Sequence, residues 1–313
     1  MSFCLRSEPV SQPLICIAGT TGTGKNRIGA LLARTMGASV LSLDSMKVYR
    51  GMDIGTAKPD SELQSLCSHY LLDVVAPSER MDMSLFMQHA EEVVQAKAAA
   101  GEPLVCVGGT AMYLNGLLFG LQDTPPRDDT LRARLRAERD EKGVAELHKR
   151  LKSIDPSSAE RINSNDYQRI ERALEVFELT GKPAGLRERD WFGSMRFPAR
   201  VFILTWPREI LRARIERRVD QMFDDGWIDE VRHVQETCGF GETASRALGY
   251  PEITAFLAGT VGEAETRGLI KTHTWQFAKR QLTWYRKFTF AETRVLTESD
   301  THASVAASLF ASL

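Results

Sequence analysis

The residues with chemistry to offer cluster at the ends of short apolar runs. In CIAGTTGTGKNRIGALLA (16–33) a hydrophobic run passes through a glycine-rich turn into a helical pattern that begins beside Lys25. This is the phosphate-binding spacing G-x-x-x-x-G-K-[ST], with Asn26 in the last place. The backbone N–H groups of Gly19, Thr20, Thr21, Gly22, Thr23 and Gly24, with the helix N-terminus, suit the anionic oxygens of a phosphate group, and Lys25 adds a charge. A Ser or Thr hydroxyl at the last position would meet Mg²⁺. The Asn26 amide oxygen stands further from the backbone, so the expectation becomes an ion reached through water or held mostly by substrate phosphates.

A second polar group, Asp44, ends the run VLSLD, where a carboxylate can accept a proton or hold a metal-bound water. In VGGTAMYLNGLL two glycines let the backbone and Thr110 approach a ligand, with Tyr113 and the leucines reading as core. RARIERRVDQMFDDGWIDEV places Arg214, Arg217 and Arg218 close together on a helix, from which one could reach a diphosphate. In NDYQRIERALEVFELTGKP (165–183), Ile170, Leu174 and Phe177 form an apolar stripe. Arg169 and Arg172 fall off it, free for a partner or for salt bridges to Glu171 and Glu175.

The elements that must position these groups follow from periodicity. LICIA (14–18), VLSLD (40–44) and LVCVGG (104–109) read as strands, each preceding a helical pattern. That alternation predicts an α/β fold, a parallel sheet flanked by helices, with ligands at the carboxyl ends of its strands. Pro125-Pro126 breaks the rhythm, and from there to Phe197 only helical patterns follow. ARVFILTW (199–206) returns to strand character, and the remainder reads as helical. The chain thus divides into a P-loop core over 1–123, an all-helical insertion over 124–198, and the second part of the core over 199–313.

Composition narrows the class. With 43% hydrophobic and 26% charged residues over 313 positions, the chain is of ordinary globular type. No apolar run is long enough to span a membrane and the N-terminus has no signal-like stretch, which predicts a cytoplasmic protein. Five scattered cysteines, Cys4, Cys16, Cys67, Cys106 and Cys238, form no C-x-x-C pair and read as reduced thiols. The net charge of −1 hides a gradient. Residues 1–123 hold 9 Lys and Arg against 12 Asp and Glu, and residues 124–198 hold 16 against 14. KTHTWQFAKRQLTWYRK (271–287) interleaves five basic side chains with aromatics and no acid, a pattern suited to RNA phosphates and bases or to a solvated helix face.

Taken in order from Leu14 to Phe288, the P-loop, DSMKVYRGMDIGTAKP, VGGTAMYL, NDYQRIERALEVFELTGKP, RIERRVDQMFDDGWIDEV, RALGY and QFAKRQLTWYRKF resemble the tRNA dimethylallyltransferase (tRNA isopentenyltransferase) family of bacterial type. The resemblance implies a P-loop NTPase-like core and transfer of a dimethylallyl group from dimethylallyl diphosphate. The acceptor would be the exocyclic amine of the adenosine 3′ of the anticodon, with diphosphate leaving, Mg²⁺ as cofactor and a monomeric enzyme. Carried over by residue, Asp44 matches the general base and Thr21 a residue near the reacting centre. Lys25 and Arg218 match stabilisers of the leaving diphosphate, and Thr110 and Arg132 match tRNA contacts. Asp44, Ser45, Met46 and Lys47, then Gln168, Arg169, Ile170, Glu171 and Arg172, then Arg246, Ala247, Leu248, Gly249, Tyr250 and Pro251 fall in segments that touch tRNA. The helical insertion would embrace the anticodon stem-loop.

Two positions depart from the pattern: family members usually carry Thr or Ser at Asn26 and Gln at Lys47. No zinc-finger extension follows Phe288, as in the bacterial form. Three other readings stay open on sequence alone. They are an adenylate isopentenyltransferase acting on AMP, ADP or ATP, a P-loop nucleotide kinase, and an inactive tRNA-binding paralogue.

Overall fold

The apolar run Leu14–Gly19 is a strand (β1), buried throughout, and the computed structural model builds the core around it. Residues 13–121, 124–184 and 192–313 are described. After β1 come α1 (Lys25–Met36), β2 (Ser39–Ser42), α2 (Ser61–Leu66), β3 (His69–Tyr70), α3 (Met83–Ala99), β4 (Leu104–Gly108) and α4 (Ala111–Phe119). The strands resume with β5 (Ala199–Thr205) after four helices, α5 (Asp129–Lys142), α6 (Val144–Ile154), α7 (Pro156–Arg161) and α8 (Tyr167–Thr180). Then follow α9 (Arg208–Asp224), α10 (Trp227–Thr237), α11 (Tyr250–Leu257), α12 (Glu263–Tyr285), β6 (Glu292–Val295) and α13 (His302–Ser312).

All six strands are parallel, in the order β3-β2-β4-β1-β5-β6. The chain leaves β1 toward β4 on one side and returns to it through β5 on the other. The carboxyl ends of β1 and β4 therefore face the crevice where α/β sheets bind ligands. Near-continuous burial of β1, β2, β4 and most of β5 is what a sheet covered on both faces demands. Ile15, Ile17, Ile28, Leu32, Val107 and Phe202 anchor one side of that core.

Four differences from the sequence reading have local causes. Strand β2 stops at Ser42, so Asp44 lies in the turn after it rather than on the strand. DSMKVYRGMDIGTAKP forms turns, and helix resumes only at Ser61. The last third of the chain is not all helical: β6 adds an edge strand whose residues are mostly exposed, which removes the apolar signal. Strand β3, two residues long, is too short to carry a period. Cys16, Cys67, Cys106 and Cys238 are free thiols, and Cys4 lies outside the described residues.

The chain forms two compact units, Met1–Leu118 with Met195–Leu313, and Phe119–Ser194. The second begins and ends slightly before the prolines would suggest, because the Arg196 N–H donates to the Leu118 carbonyl at 2.7 Å and ties the returning chain to the end of α4. Within that unit Leu135, Leu147, Leu151, Ile170 and Leu174 make a separate apolar core.

Candidate active site

The loop between β1 and α1 is built for an anion. Gly24 precedes α1 with φ of 84°, a left-handed position, and a Cβ there would lie 2.5 Å from the His302 ring nitrogen Nε2. Thr23 Oγ1 and Lys25 Nζ both donate to the Thr20 carbonyl, at 2.9 and 3.1 Å, which folds Lys25 back over the loop. Arg214 Nε donates to the Gly22 carbonyl at 2.9 Å, its guanidinium over the Trp206 ring. The Thr21 N–H donates to Gln281 Oε1 at 3.0 Å, and Gln281 Nε2 donates to the Gly109 carbonyl at 2.7 Å. One buried carboxamide from α12 thus clasps the P-loop to the turn after β4.

Beside this loop lies a cavity of about 520 Å³. Thr21, Lys25, Asp44 and Arg218, expected on sequence to carry the chemistry, all line it. Asp44 Oδ1 accepts the Met46 N–H at 3.0 Å, and its other oxygen takes no hydrogen bond among the described residues. Lys25 and Lys47 are 8% and 4% exposed. Burial lowers Lys25 to about 7; repulsion from Lys47 and Arg218 adds to the fall and Asp44 opposes it. Burial likewise lowers Lys47 to about 8, with Asp44 opposing and Arg218 and Lys58 adding. Desolvation also lowers the Arg218 guanidinium, against the pull of Asp44. Neither the Lys47 ammonium nor the Arg218 guanidinium has a hydrogen bond or ion pair among the described residues. Three cations around one carboxylate, with both ammonium groups buried, suit a polyanionic ligand.

The walls are set by contacts between distant segments. Glu230, on α10, accepts the N–H groups of Asp53, Ile54 and Gly55 at 2.7, 2.6 and 3.2 Å, and the Tyr250 hydroxyl at 2.7 Å. The Trp227 indole lies against Gly55 and Gly249, where a Cβ would come within 2.1 and 2.0 Å of ring atoms. Those two glycines admit the indole, which fixes the loop over the cavity. Asn26 Nδ2 donates to the Ala57 carbonyl at 3.2 Å, so that side chain is held against the same loop. Among the described residues no three His, Cys, Asp or Glu side chains converge as a metal set. Asn26 is engaged through its amide nitrogen, which leaves Oδ1 as one neutral donor, and Asp44 stands among three cations; that set by itself does not fit a divalent ion held by residue 26. Exposed Phe277, Arg280, Arg246 and Pro251 complete the lining.

The description "IPP transferase" fits residues 47–288 of this chain. The chain belongs to that family. It is 40% identical to a tRNA dimethylallyltransferase of Geobacter sulfurreducens, over 88% of this chain and 89% of the relative. With the tRNA dimethylallyltransferase of Symbiobacterium thermophilum it shares 41%, over 88% of this chain and 86% of the relative. The structure resembles the tRNA isopentenylpyrophosphate transferase of Bacillus halodurans, with a TM-score of 0.71, 33% identity, and 96% and 94% of the two chains covered. It also resembles a eukaryotic dimethylallyltransferase solved acting on tRNA, with a TM-score of 0.78, 26% identity, and 95% and 78% coverage.

In this IPP transferase family member the remaining expected site residues divide by environment. All of DSMK lines the cavity, as do Thr110 and, from RALGYP, Arg246, Ala247, Leu248, Tyr250 and Pro251. Gly249 instead makes room for Trp227. In the helical unit, Gln168 and Arg169 are exposed, whereas Ile170 is fully buried in its core and Glu171 is buried. Ile170 is thereby corrected from a surface contact to a packing residue. Arg132, half-buried, pairs with Glu175, to which its Nε and Nη2 donate at 2.8 and 2.7 Å. Arg172 donates to Glu175 at 2.5 Å, and Arg169 faces Asp166 at 3.5 Å. Gln281, Glu230 and Trp227 had no role in the sequence reading. The basic-aromatic run drew notice for its charges, and Gln281 within it carries none.

Proposed function

We propose that the protein transfers a dimethylallyl group from dimethylallyl diphosphate to the exocyclic amine of the adenosine 3′ of the anticodon in tRNA. The observation that carries the reading is the meeting of Lys25, Arg218 and Asp44 in one cavity at the carboxyl ends of β1 and β4. An exocyclic amine is a weak nucleophile because its lone pair is delocalised into the ring. The bond from allylic carbon to diphosphate oxygen must therefore break substantially before the C–N bond forms, and catalysis acts at the leaving group. Lys25, Arg218 and the loop amides stabilise the departing diphosphate. Asp44, held by the Met46 N–H, orients the amine and takes its proton through its other oxygen. Thr21, its backbone fixed by Gln281, stands between the two ends of the reaction.

Phe277 and Arg280, both exposed and bordering the cavity, offer a stacking face and a charge for an extruded base, whose extrusion costs a few kcal/mol. Exposed Gln168 and Arg169 offer the helical unit's contacts to the stem-loop. Mg²⁺, the cofactor the resemblance implies, would accompany the donor as its counterion rather than be held by residue 26. The relatives named above act on tRNA by their names, which favours this reading over transfer to AMP, ADP or ATP. We place the enzyme in the cytoplasm as a monomer; among the described residues no helix is long and apolar enough to cross a membrane.

The test is transfer followed by mass spectrometry, offering unmodified tRNA in one tube and AMP, ADP and ATP in another. A five-carbon gain on the anticodon-loop adenosine alone is expected. Gain on the free nucleotides alone would replace this reading with cytokinin synthesis, and tRNA binding without gain would indicate an inactive paralogue.

A further inference from the structure

Lys47 is a buried cation in the cavity that no part of the reaction above uses. Its side chain is buried, lines the cavity, and has no hydrogen bond or ion pair among the described residues. A buried ammonium in that state is costly unless something negative is to meet it. Asp44 attracts it from nearby yet forms no ion pair with it, and Asp44 must answer Lys25 and Arg218 as well. Lys47 repels Lys25 more strongly than Arg218 does, so its charge already sits in the field of the P-loop.

At the same loop, the position that would serve a divalent ion carries Asn26, whose amide nitrogen donates to the Ala57 carbonyl and whose oxygen is a single neutral donor. A divalent ion there would join three cations and one carboxylate. The two departures are complementary: one withdraws a metal-binding hydroxyl, and the other inserts a fixed positive charge into the same cavity.

Building on the diphosphate-site reading above, we propose that Lys47 belongs to the diphosphate cradle rather than to the RNA surface. It supplies positive charge that residue 26 does not recruit, so that diphosphate binding by this protein does not require a divalent metal. The ammonium pairs with a phosphate oxygen in the donor complex and stays with the diphosphate as the C–O bond breaks. No bond to Lys47 is made or broken, and its proton remains on Nζ.

The experiment is calorimetric titration of the full chain with inorganic diphosphate, in chelator and in millimolar Mg²⁺, beside fluorescence titration with unmodified tRNA. The wild type is expected to bind diphosphate in chelator. Lys47→Gln should weaken that binding about tenfold or more, the scale of one charge-assisted contact. Mg²⁺ should recover much of the loss, more fully in the Asn26→Thr/Lys47→Gln double variant, with tRNA affinity unchanged throughout. Lys47→Arg, which keeps the charge, should hold diphosphate in chelator. Unliganded Lys47→Gln should melt no lower than wild type, because it removes an unpaired buried charge.

Two results overturn the proposal. One is wild-type binding that vanishes in chelator and returns with Mg²⁺. The other is a Lys47→Gln variant that binds diphosphate normally but loses tRNA. Lys25→Ala separates the underlying reading from this one. If wild type and Lys25→Ala both fail to bind diphosphate with and without Mg²⁺, the diphosphate site itself is wrong, whatever Lys47 does.

Discussion

The two units each bury charged groups, and they handle them in opposite ways. Glu175, fully buried in the helical unit, accepts from Arg132, Arg172 and the Asp128 N–H. Burial alone would raise that carboxyl, but its hydrogen bonds prevail and hold it at about 2. The cavity beside the P-loop is the inverse case: cations outnumber Asp44, two of them lack partners, and burial drives both lysines down. The first cluster is closed and its charges serve the fold. The second is open, and its imbalance is the imprint of a ligand. Arginine counts alone cannot separate the two, since what differs is how each charge is partnered and not how many there are.

That contrast can be broken most directly inside the cavity. Asp44→Asn keeps the shape and removes the proton acceptor, so the transfer rate should fall about 10²–10⁴-fold while diphosphate and tRNA affinities hold. Single-turnover transfer with separate binding titrations checks this; a rate within a few-fold of wild type would remove Asp44 from the chemistry. Lys25→Met should lower the rate about 10²–10³-fold, the scale of one electrostatic contact to a developing anion, and should weaken diphosphate as well.

In the helical unit the same kind of substitution should act on stability instead. Glu175→Ala leaves Arg132 and Arg172 facing each other without their anion, and a broken buried pair costs about 3–5 kcal/mol. Chemical denaturation should show that loss with diphosphate affinity unchanged. An altered diphosphate affinity would mean the closed cluster is not merely structural.

The clusters should also answer pH at opposite ends. Glu175 titrates at about 2 in the fold against 4.5 unfolded, so its contribution is full above 4.5 and disappears as pH falls toward 2. The lysines, at about 7 and 8 against 10.5 unfolded, leave the unfolded chain binding more protons between those values. Stability without ligand therefore gains from them as pH rises through that window. Diphosphate restores their protons, so its binding should take up protons above pH 7 and weaken by up to about tenfold per pH unit for each lysine that does so. Titrations in buffers of different ionisation heat measure that uptake directly.

How much of this was legible in the sequence depended on distance along the chain. The P-loop, the strands β1, β4 and β5, and the helical character of 129–180 each reside in contiguous residues, so pattern and spacing sufficed. The path of 43–60 was not legible, because Glu230 and Trp227 shape it from far along the chain. The burial of Ile170 and the pairing of Arg132 with Glu175 were not legible for the same reason: their partners lie on neighbouring helices, and burial decides whether a residue presents itself or packs. Gln281 meets Thr21 across 260 positions, and no local pattern announces such a contact.

Gln281 offers the finest discrimination between open and closed regions. Its carboxamide is as fully satisfied as Glu175, yet it serves the open site by consuming the Thr21 N–H and gripping the Gly109 carbonyl. Gln281→Glu keeps the acceptor for Thr21 but sets an oxygen against the Gly109 carbonyl. Gln281→Met keeps the length and loses both bonds. Each lost buried bond costs about 1–3 kcal/mol where a partner is stranded, and part of that should appear as a loosened P-loop. Diphosphate affinity and the transfer rate should therefore fall about tenfold in Gln281→Met, with tRNA affinity unchanged. If melting temperature drops while both functional readouts hold, Gln281 is a core contact like Glu175, and the clasp does not position the P-loop.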